Sequence, residues 1–298
     1  MRRMATPGCL AVLMAILAAA TPVAAREQRA GTAARSHRAL RRPLAHGRHA
    51  IRHVVWVLME NQDYSSVIGS GDAPYINRLA RTYGLATRYS AISHPSLPNY
   101  VALTSGGTQG ISDDSDPSSH RLGAPSIFGQ LPGGASRSLE QGMPSPCATG
   151  DSGEYAVRHN PEAYYAKLHG ECRRSDVPLS GRPDLSARFT FVTPNLVNDM
   201  HDGSVGDGNR FLQRFVPELL ATQQYRARDT AIFIVWDENA GASGNRVPCI
   251  VISPFTHGVS DSRSYSHYSL LRTTEEVLGL PLLGRADSAH SMVGRFGF

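Results

Sequence analysis

Four short apolar segments constrain the fold of this chain more than any other feature of its sequence. They read HVVWVLM, FTFVT, AIFIVW and CIVIS, are rich in β-branched and aromatic residues, and contain no Asp, Glu, Lys or Arg. Such segments are typical of strands that are buried on both faces of a sheet. Helical patterns lie between them: PYINRLARTYG, PNYVALTSG, NRFLQRFVPELLATQ and SHYSLLRTTEEVLGL. Alternating strands and helices predict an α/β fold, a three-layer sandwich with a mostly parallel central sheet.

The residues before the first strand divide into two parts. Residues 1–25 combine two arginines, an apolar run and the small residues of PVAA, a pattern typical of a secretory signal peptide that is cleaved near Ala25. Residues 26–50 hold seven arginines and one acidic residue, whereas residues 51–298 hold 21 basic and 24 acidic residues. We therefore expect a secreted or cell-envelope protein with a disordered arginine-rich arm at 26–50 and a single, monomeric domain at 51–298.

The arginine-rich arm leaves two readings of its function open. It is either a solvated tail or a segment that contacts anionic lipid or the cell envelope. The domain itself has no basic stripe interleaved with aromatic residues, so we expect no nucleic-acid binding.

Residues from about 112 to 188 interrupt the alternation of strands and helices with clusters of Gly, Pro, Ser and Asp. We interpret them as an irregular insertion over one edge of the sheet. Cys147 and Cys172 both lie in this insertion, and in an oxidising compartment a disulfide between them would staple it. Cys249 lies in an apolar run and is expected to be a buried thiol. No CxxC pair indicates structural zinc.

Acids and amides directly follow three of the predicted strands. Glu60 and Asn61 follow the first, the segment 195–203 follows the second, and Asp237 with Glu238 follows the third. Ligands of open α/β sheets bind beyond the carboxyl ends of the strands. A single acid at such a position would be explained by the preference of Asp and Asn for turns. Three groups at one edge favour a site for a divalent cation, because carboxylate, amide oxygen and imidazole are its usual ligands.

Ser96 lies in SHPSLPNYVALTSG, at the start of a predicted helix. A serine hydroxyl needs a neighbouring base or a metal ion to become a nucleophile, and the amino end of a helix favours phosphate. The sequence contains neither a G-x-S-x-G elbow nor a Walker loop. Ser96 could simply cap the helix, but the predicted cation site favours the nucleophile.

Five ordered segments resemble the bacterial phosphoesterase family of acid phosphatases and phospholipases C, in the alkaline phosphatase superfamily. They are MENQDYSSVIG, SHPSLPNYVALTSG, PNLVNDMHDGSVGDG, VWDENAG and SHYSLLRTTEEVLGLP, and the resemblance extends from His53 to Leu280. It implies an alkaline phosphatase-like fold. It also implies a secreted phosphomonoesterase similar to mycobacterial acid phosphatases that act on phosphoinositides and other monoesters.

The resemblance implies one or two divalent metal ions of unspecified identity. The implied metal ligands are Glu60, Asn61, Ser96, Asp199, Asp237 and Glu238. Relatives in the superfamily have an Asp-His pair where this chain has Asp237-Glu238, so the number of ions stays open.

The resemblance also implies the catalytic residues. Ser96 is the implied metal-bound nucleophile, and His201 or His267 would protonate the leaving alkoxide. The candidates for substrate binding are Asn99, Asp114, Arg158 and His159. Arg158 and His159 come from the segment YAVRHNP, and the alternative is that they are surface residues around the disulfide loop. Relatives place a phosphate-binding asparagine where this chain has Asp114, and a carboxylate cannot bind phosphate in the same way.

The expected reaction is in-line displacement at phosphorus, with a phosphoseryl intermediate that water then hydrolyses. A phosphodiesterase or phospholipase C is the alternative function. A more distant one is a non-catalytic protein that binds anionic lipid through the arginine-rich arm. The presence of Glu60, Ser96, Asp237 and Glu238 argues against the non-catalytic reading, because a decayed site should have lost at least one of them.

Overall fold

The computed structural model describes residues 51–242 and 244–298, so the predicted signal peptide (1–25) and arm (26–50) lie outside the described residues. The described chain forms an eight-stranded sheet in the order β4-β3-β5-β1-β6-β7-β2-β8. The strands are β1 (His53–Met59), β2 (Gly84–Ser90), β3 (Ser136–Glu140), β4 (Asp176–Pro178), β5 (Phe189–Thr193), β6 (Thr230–Trp236), β7 (Cys249–Ile252) and β8 (Val259–Ser266). The α-helices are α1 (Tyr64–Val67), α2 (Pro74–Thr82), α3 (Ser96–Ser105), α4 (His169–Ser175), α5 (Val205–Leu220), α6 (Gln223–Arg226) and α7 (His267–Leu278).

The sheet is mostly parallel, as predicted. Among the described strands only β7 runs antiparallel to its neighbours, β6 and β2. Val57 of β1 pairs with Val192 of β5 on one side and with Ile234 of β6 on the other. This register brings the carboxyl ends of the three central strands side by side.

Helices cover both faces of the sheet. The Trp56 indole donates to Thr274 Oγ1 of α7 at 3.0 Å, whereas the Met59 side chain lies against Gly208 of α5. Residues three apart in a strand point to opposite faces, so α7 and α5 cover opposite sides. Helix α3 packs beside α7, and α2 packs beside α5. These contacts define the three layers of the predicted sandwich.

The segment 112–188 is more regular than its sequence suggests. It contains β3 and β4, which extend the sheet beyond β5. Their sequences, SRSLE and DVP, have no apolar run and are therefore not recognisable as strands. The predicted disulfide between Cys147 and Cys172 is present, with 5.4 Å between the two Cα atoms. Cys249 is a fully buried free thiol, as predicted.

In the part of the chain that the structure describes, no helix is long and apolar enough to cross a membrane.

Candidate active site

The polar strand ends converge at one edge of the sheet. Glu60 directly follows β1, and its backbone N–H donates to the carbonyl of Asp199, beyond β5, at 2.8 Å. The N–H of Asp237, which follows β6, donates to the carbonyl of Met59 at 2.9 Å. The acids that sequence analysis predicted at three strand ends are therefore neighbours in the fold.

Ser96 is the first residue of α3 and is 2 % exposed. Its Oγ donates to Glu60 Oε2 at 3.1 Å and lies 3.5 Å from Glu238 Oε1. The candidate nucleophile therefore points into the cluster of acids, with two carboxylates in reach of its proton.

His159 lies among the acids, although the sequence analysis placed it with the substrate-binding candidates. Its Nε2 is 3.5 Å from Glu60 Oε2 and its Nδ1 is 3.4 Å from Asp199 Oδ2. Glu60, His159 and Asp199 each offer one ligand atom, and these atoms all lie within 4.8 Å of one another. His159 comes from a 3₁₀ turn (Val157–His159) inside the insertion. His159 does not follow an apolar strand. The search for polar residues directly after the predicted strands could therefore not identify it.

The carboxamide of Asn61 lies between Glu60 and Asp237. In the orientation that gives it hydrogen-bond partners, its nitrogen donates to Glu60 Oε2 at 2.9 Å and to Asp237 Oδ1 at 3.2 Å. Asn61 has a φ of 39°, in the left-handed region that asparagine tolerates better than most residues. This backbone turns its side chain back over the end of β1.

Burial dominates the electrostatics of these acids. It raises the pKa of Glu60 well above its usual value, with the charges of Asp237 and Asp199 adding to the effect. Burial also raises the pKa of Asp199 and of Asp237 to about 7, and burial together with the Asp237 charge raises that of Glu238 to about 8. Burial lowers the pKa of His159 well below its usual range, so the imidazole is neutral.

These residues fit a divalent cation. Among the described residues, no Lys or Arg forms an ion pair with Glu60, Asp199, Asp237 or Glu238. Asp199 Oδ2, Asp237 Oδ2 and His159 Nε2 are buried without a hydrogen-bond partner. Buried carboxylates and neutral imidazole without such partners are the donor set of a hard or borderline metal ion, whose charge would hold the acids ionised.

Arg158, His201 and Asp114 lie together at the rim of the site. Arg158 Nη2 donates to His201 Nε2 at 3.2 Å, and His201 Nδ1 lies 2.7 Å from Asp202 Oδ1. Asp114 Oδ1 accepts from the N–H of Leu97 at 2.9 Å, and its Oδ2 is 4.0 Å from Arg158 Nε. Asp114 therefore binds the amino end of α3, next to Ser96.

His94 also reaches the site, and sequence analysis missed it. Its Nδ1 lies 2.6 Å from Glu238 Oε2, and its side chain is 45 % exposed. Its position two residues before Ser96 was the available signal, but a histidine near a helix start is too common to single out.

Asn99 and His267 lie deeper than their predicted roles suggest. Asn99 is fully buried, and its Oδ1 accepts from the N–H groups of Ile92 and Ser93, both at 3.0 Å, so it fixes the loop before Ser96. His267 is fully buried, with Nε2 at 2.6 Å from the carbonyl of Asp237 and Nδ1 at 3.0 Å from the Tyr89 hydroxyl. Burial lowers its pKa to about 4. Of the two candidate proton donors, His201 is the more exposed, at 26 % of its side chain.

The site is therefore a group of buried acids around a serine, at the carboxyl edge of an α/β sheet. The fold matches a solved protein in the alkaline phosphatase superfamily from Vibrio parahaemolyticus, with a TM-score of 0.56 and 13 % identity, over 80 % of this chain and 70 % of that one. It also matches the lipoteichoic acid synthase LtaP from Listeria monocytogenes, with a TM-score of 0.53 and 9 % identity, over 80 % and 76 % of the two chains. These identities establish the fold alone.

Sequence comparison identifies the family. The model of the Phosphoesterase family matches residues 187–281. The chain is 31 % identical to a phosphatidylinositol-3-phosphatase of Mycobacterium tuberculosis, over 82 % of this chain and 83 % of that protein. It is 27 % identical to an acid phosphatase of Aspergillus fumigatus, over 80 % of this chain but only 57 % of the fungal protein. The chain belongs to the Phosphoesterase family and is a hydrolase of phosphoric esters.

Proposed function

We propose that the protein is a secreted, metal-dependent phosphomonoesterase, an acid phosphatase that uses Ser96 as its nucleophile. The observation that carries the proposal is the approach of Ser96 Oγ to Glu60 and Glu238 at the carboxyl edge of the sheet. The names of the relatives, acid phosphatase and phosphatidylinositol-3-phosphatase, support a monoester substrate. Phosphorylated lipids such as phosphoinositides are the proposed substrate class.

One or two divalent ions complete the proposed site. The ligands would be Glu60, Asn61, Ser96, Asp199, Asp237 and Glu238, to which the structure adds His159 as a candidate. When bound, the ion supplies positive charge that favours the serine alkoxide and offsets the negative charge on the phosphoryl oxygens.

The protein's own residues account for the proton transfers. The Ser96 hydroxyl gives its proton to Glu60 or Glu238 as its oxygen attacks phosphorus, so an Oγ–P bond forms while the ester P–O bond breaks. His201 protonates the departing alkoxide, and its exposure at the rim suits this role better than the buried position of His267. Water then hydrolyses the phosphoseryl ester, which releases phosphate and restores Ser96.

The remaining substrate candidates have supporting roles in this proposal. Arg158 is the guanidinium at the rim and would bind phosphoryl oxygens as a charged donor. Asp114 and Asn99 would hold the amino end of α3 and the loop before it, and thereby position Ser96.

Cleavage near Ala25, release or retention at the cell envelope, and contact of the arm at 26–50 with anionic lipid are also proposals. They rest on the sequence pattern of residues outside the described part. The proposal includes a monomer that binds no nucleic acid.

The first experiment compares hydrolysis of p-nitrophenyl phosphate and bis(p-nitrophenyl) phosphate by the purified protein at acidic and neutral pH. Faster monoester turnover supports the phosphomonoesterase. Faster diester turnover would favour the alternative, a phosphodiesterase or phospholipase C. Inactivity on both, with bound metal present, would favour the non-catalytic lipid-binding alternative.

A matched pair of serine variants tests the nucleophile. Ser96→Ala should abolish turnover and leave the thermal melt nearly unchanged. Ser105→Ala is the control, because Ser105 is a buried serine on the same helix whose hydroxyl bonds the carbonyls of Val101 and Gly107 and the Gln109 amide rather than the acids. Turnover retained by Ser96→Ala would remove Ser96 from the mechanism.

A further inference from the structure

Tyr100 lies one helical turn after Ser96 on α3 and is fully buried. Residues four apart in a helix lie on the same face, so the two side chains point towards the same acids. Nothing in the reaction proposed above uses Tyr100.

The Tyr100 side chain contacts two candidate metal ligands that come from different parts of the chain. Its hydroxyl donates to Oε1 of Glu60, at the end of β1. Its ring stacks on the imidazole of His159, in the insertion, with 5.4 Å between the ring centroids and an angle of 7° between the planes. A single residue of α3 therefore contacts both the residue that follows β1 and the 3₁₀ turn at the site.

The hydrogen bond to Tyr100 distinguishes the two carboxylate oxygens of Glu60. Oε1 is occupied by the tyrosine hydroxyl, whereas Oε2 is the atom close to Ser96 (3.1 Å) and to His159 (3.5 Å). A carboxylate held in this way presents one oxygen, rather than two, to the centre of the site.

The same hydrogen bond provides Oε1 of Glu60 with a donor. Glu60 is fully buried, and a buried carboxylate oxygen without a donor is destabilised by its full desolvation free energy. Without the hydroxyl, Glu60 would turn to regain a partner and would no longer point Oε2 at the ligand cluster. The ring has a separate effect, because a parallel neighbour fixes the plane of the His159 imidazole.

We infer that Tyr100 is a positioning residue of the metal centre, whose hydroxyl makes Glu60 a one-oxygen ligand and whose ring fixes the plane of His159. The inference rests on the metal dependence in the proposed function. It concerns ligand geometry, because Tyr100 does not contact the reacting phosphate.

The test measures metal affinity directly. Metal-stripped Tyr100→Phe and wild-type proteins are titrated with Mn²⁺ and with Zn²⁺ in separate calorimetric experiments. Loss of a hydrogen bond to a metal ligand typically weakens metal binding 10- to 100-fold, and we expect an increase of this size in the Kd of Tyr100→Phe. The metal concentration for half-maximal phosphatase activity should rise by a similar factor. Saturating metal should restore most of kcat with little change in KM.

Tyr165→Phe is the matched control. Tyr165 is also buried, and its hydroxyl lies 2.7 Å from Thr104 Oγ1, one turn further along α3 and away from the ligands. Its loss should leave the metal Kd unchanged. Tyr100→Leu removes the ring as well as the hydroxyl, and it should weaken binding more than Tyr100→Phe because it also frees His159.

The outcomes separate this inference from the proposed function. An unchanged Kd in folded Tyr100→Phe would overturn the inference, as would equal weakening in Tyr165→Phe. Equal losses in the Phe and Leu variants would refute the role of the ring. If the wild type binds neither ion, and neither Mg²⁺ nor Ca²⁺ in the same titration, the metal dependence fails and the inference fails with it. Metal binding without phosphatase activity would refute the proposed function and leave the Tyr100 inference standing.

Discussion

Three carboxyl groups lie buried outside the candidate active site, at the edge of the sheet beyond β5. They belong to Glu140 on β3, Asp176 on β4 and Glu162 on the turn after His159, and none is more than 2 % exposed. Within the described residues, none of the three forms an ion pair with Lys or Arg. Burial raises the pKa of each, and that of Glu162 rises from 4.5 to about 7.

Replacement of Glu162 by Gln tests the effect of this burial on stability. A folded-state pKa above the unfolded value means that the native state holds its proton more tightly, so stability falls as pH rises. The loss of stability begins near pH 4.5 and is complete above about pH 7. A rise in the pKa of Glu162 from 4.5 to about 7 lowers the free energy of unfolding by about 3 kcal/mol over the whole range. Gln is neutral at every pH, so the variant does not lose this stability. At acidic pH its amide should still bond the hydroxyls of Ser138 and Ser175, which contact the carboxyl group in the wild type.

The measurement is denaturant unfolding of both proteins at pH 5 and pH 8, at constant salt and metal concentration. Between these pH values, the stability of Glu162→Gln relative to wild type should increase by about 2.5 kcal/mol, because part of the loss already occurs below pH 5. The active-site acids titrate alike in both proteins, so their contribution cancels in the comparison. The Glu162 charge also raises the pKa values of Glu140 and Asp176, so its removal changes their contribution in the same direction and adds to the increase. Glu218→Gln, on the exposed face of α5, is the control and should show no such change. A stability difference between Glu162→Gln and wild type that is the same at pH 5 and pH 8 would refute the reasoning.

Three further predictions concern the metal, the disulfide and the leaving group. A chelator should abolish phosphatase activity and lower the Tm, because the buried acids lose their counter-charge; activity that persists in metal-free protein would contradict this. Reduction of Cys147–Cys172, which are 25 residues apart, should cost about 3 kcal/mol of stability by loop closure, and three free thiols in untreated protein of residues 26–298, which lacks Cys9, would contradict the bridge. His201→Asn should slow hydrolysis of an alkyl phosphate about 100-fold but that of p-nitrophenyl phosphate far less, since p-nitrophenolate leaves without a proton; equal losses would point away from His201 as the proton donor.

The sequence predicts the centre of the fold better than its edges, and the reason is burial. β1, β5, β6 and β7 are buried on both faces, so their apolar runs identify them. β3, β4 and β8 contain charged or polar residues, and β2 carries an arginine, so none reads as an apolar run. These strands are specified by pairing with neighbours that are distant in sequence, which local patterns do not report.

The candidate site shows the same division. Glu60, Asp237 and Asp199 follow buried strands, so the topology of a parallel sheet predicts that they meet. His159 reaches them from the insertion, and only the packing of that insertion against α3 brings it there. The segment that contains it, YAVRHNP, carries no pattern that distinguishes a functional histidine from a surface residue of the insertion.

Helix α3 shows how a structure separates functional polar residues from structural ones. All ten of its residues are buried, so it has no polar face, and every polar side chain on it must find a partner within the protein. Asn99, Thr104 and Ser105 bond to backbone groups of α3 or of the adjoining loops, and Thr104 also bonds the neutral hydroxyl of Tyr165. Ser96 and Tyr100 instead donate to a buried carboxylate on another element, Glu60. Helix formation does not require those two hydrogen bonds. They place two hydroxyls next to Glu60, whose carboxylate would be more stable in water than in its buried position. The position of Ser96 and Tyr100 is therefore best explained by the chemistry at Glu60 rather than by the stability of the helix.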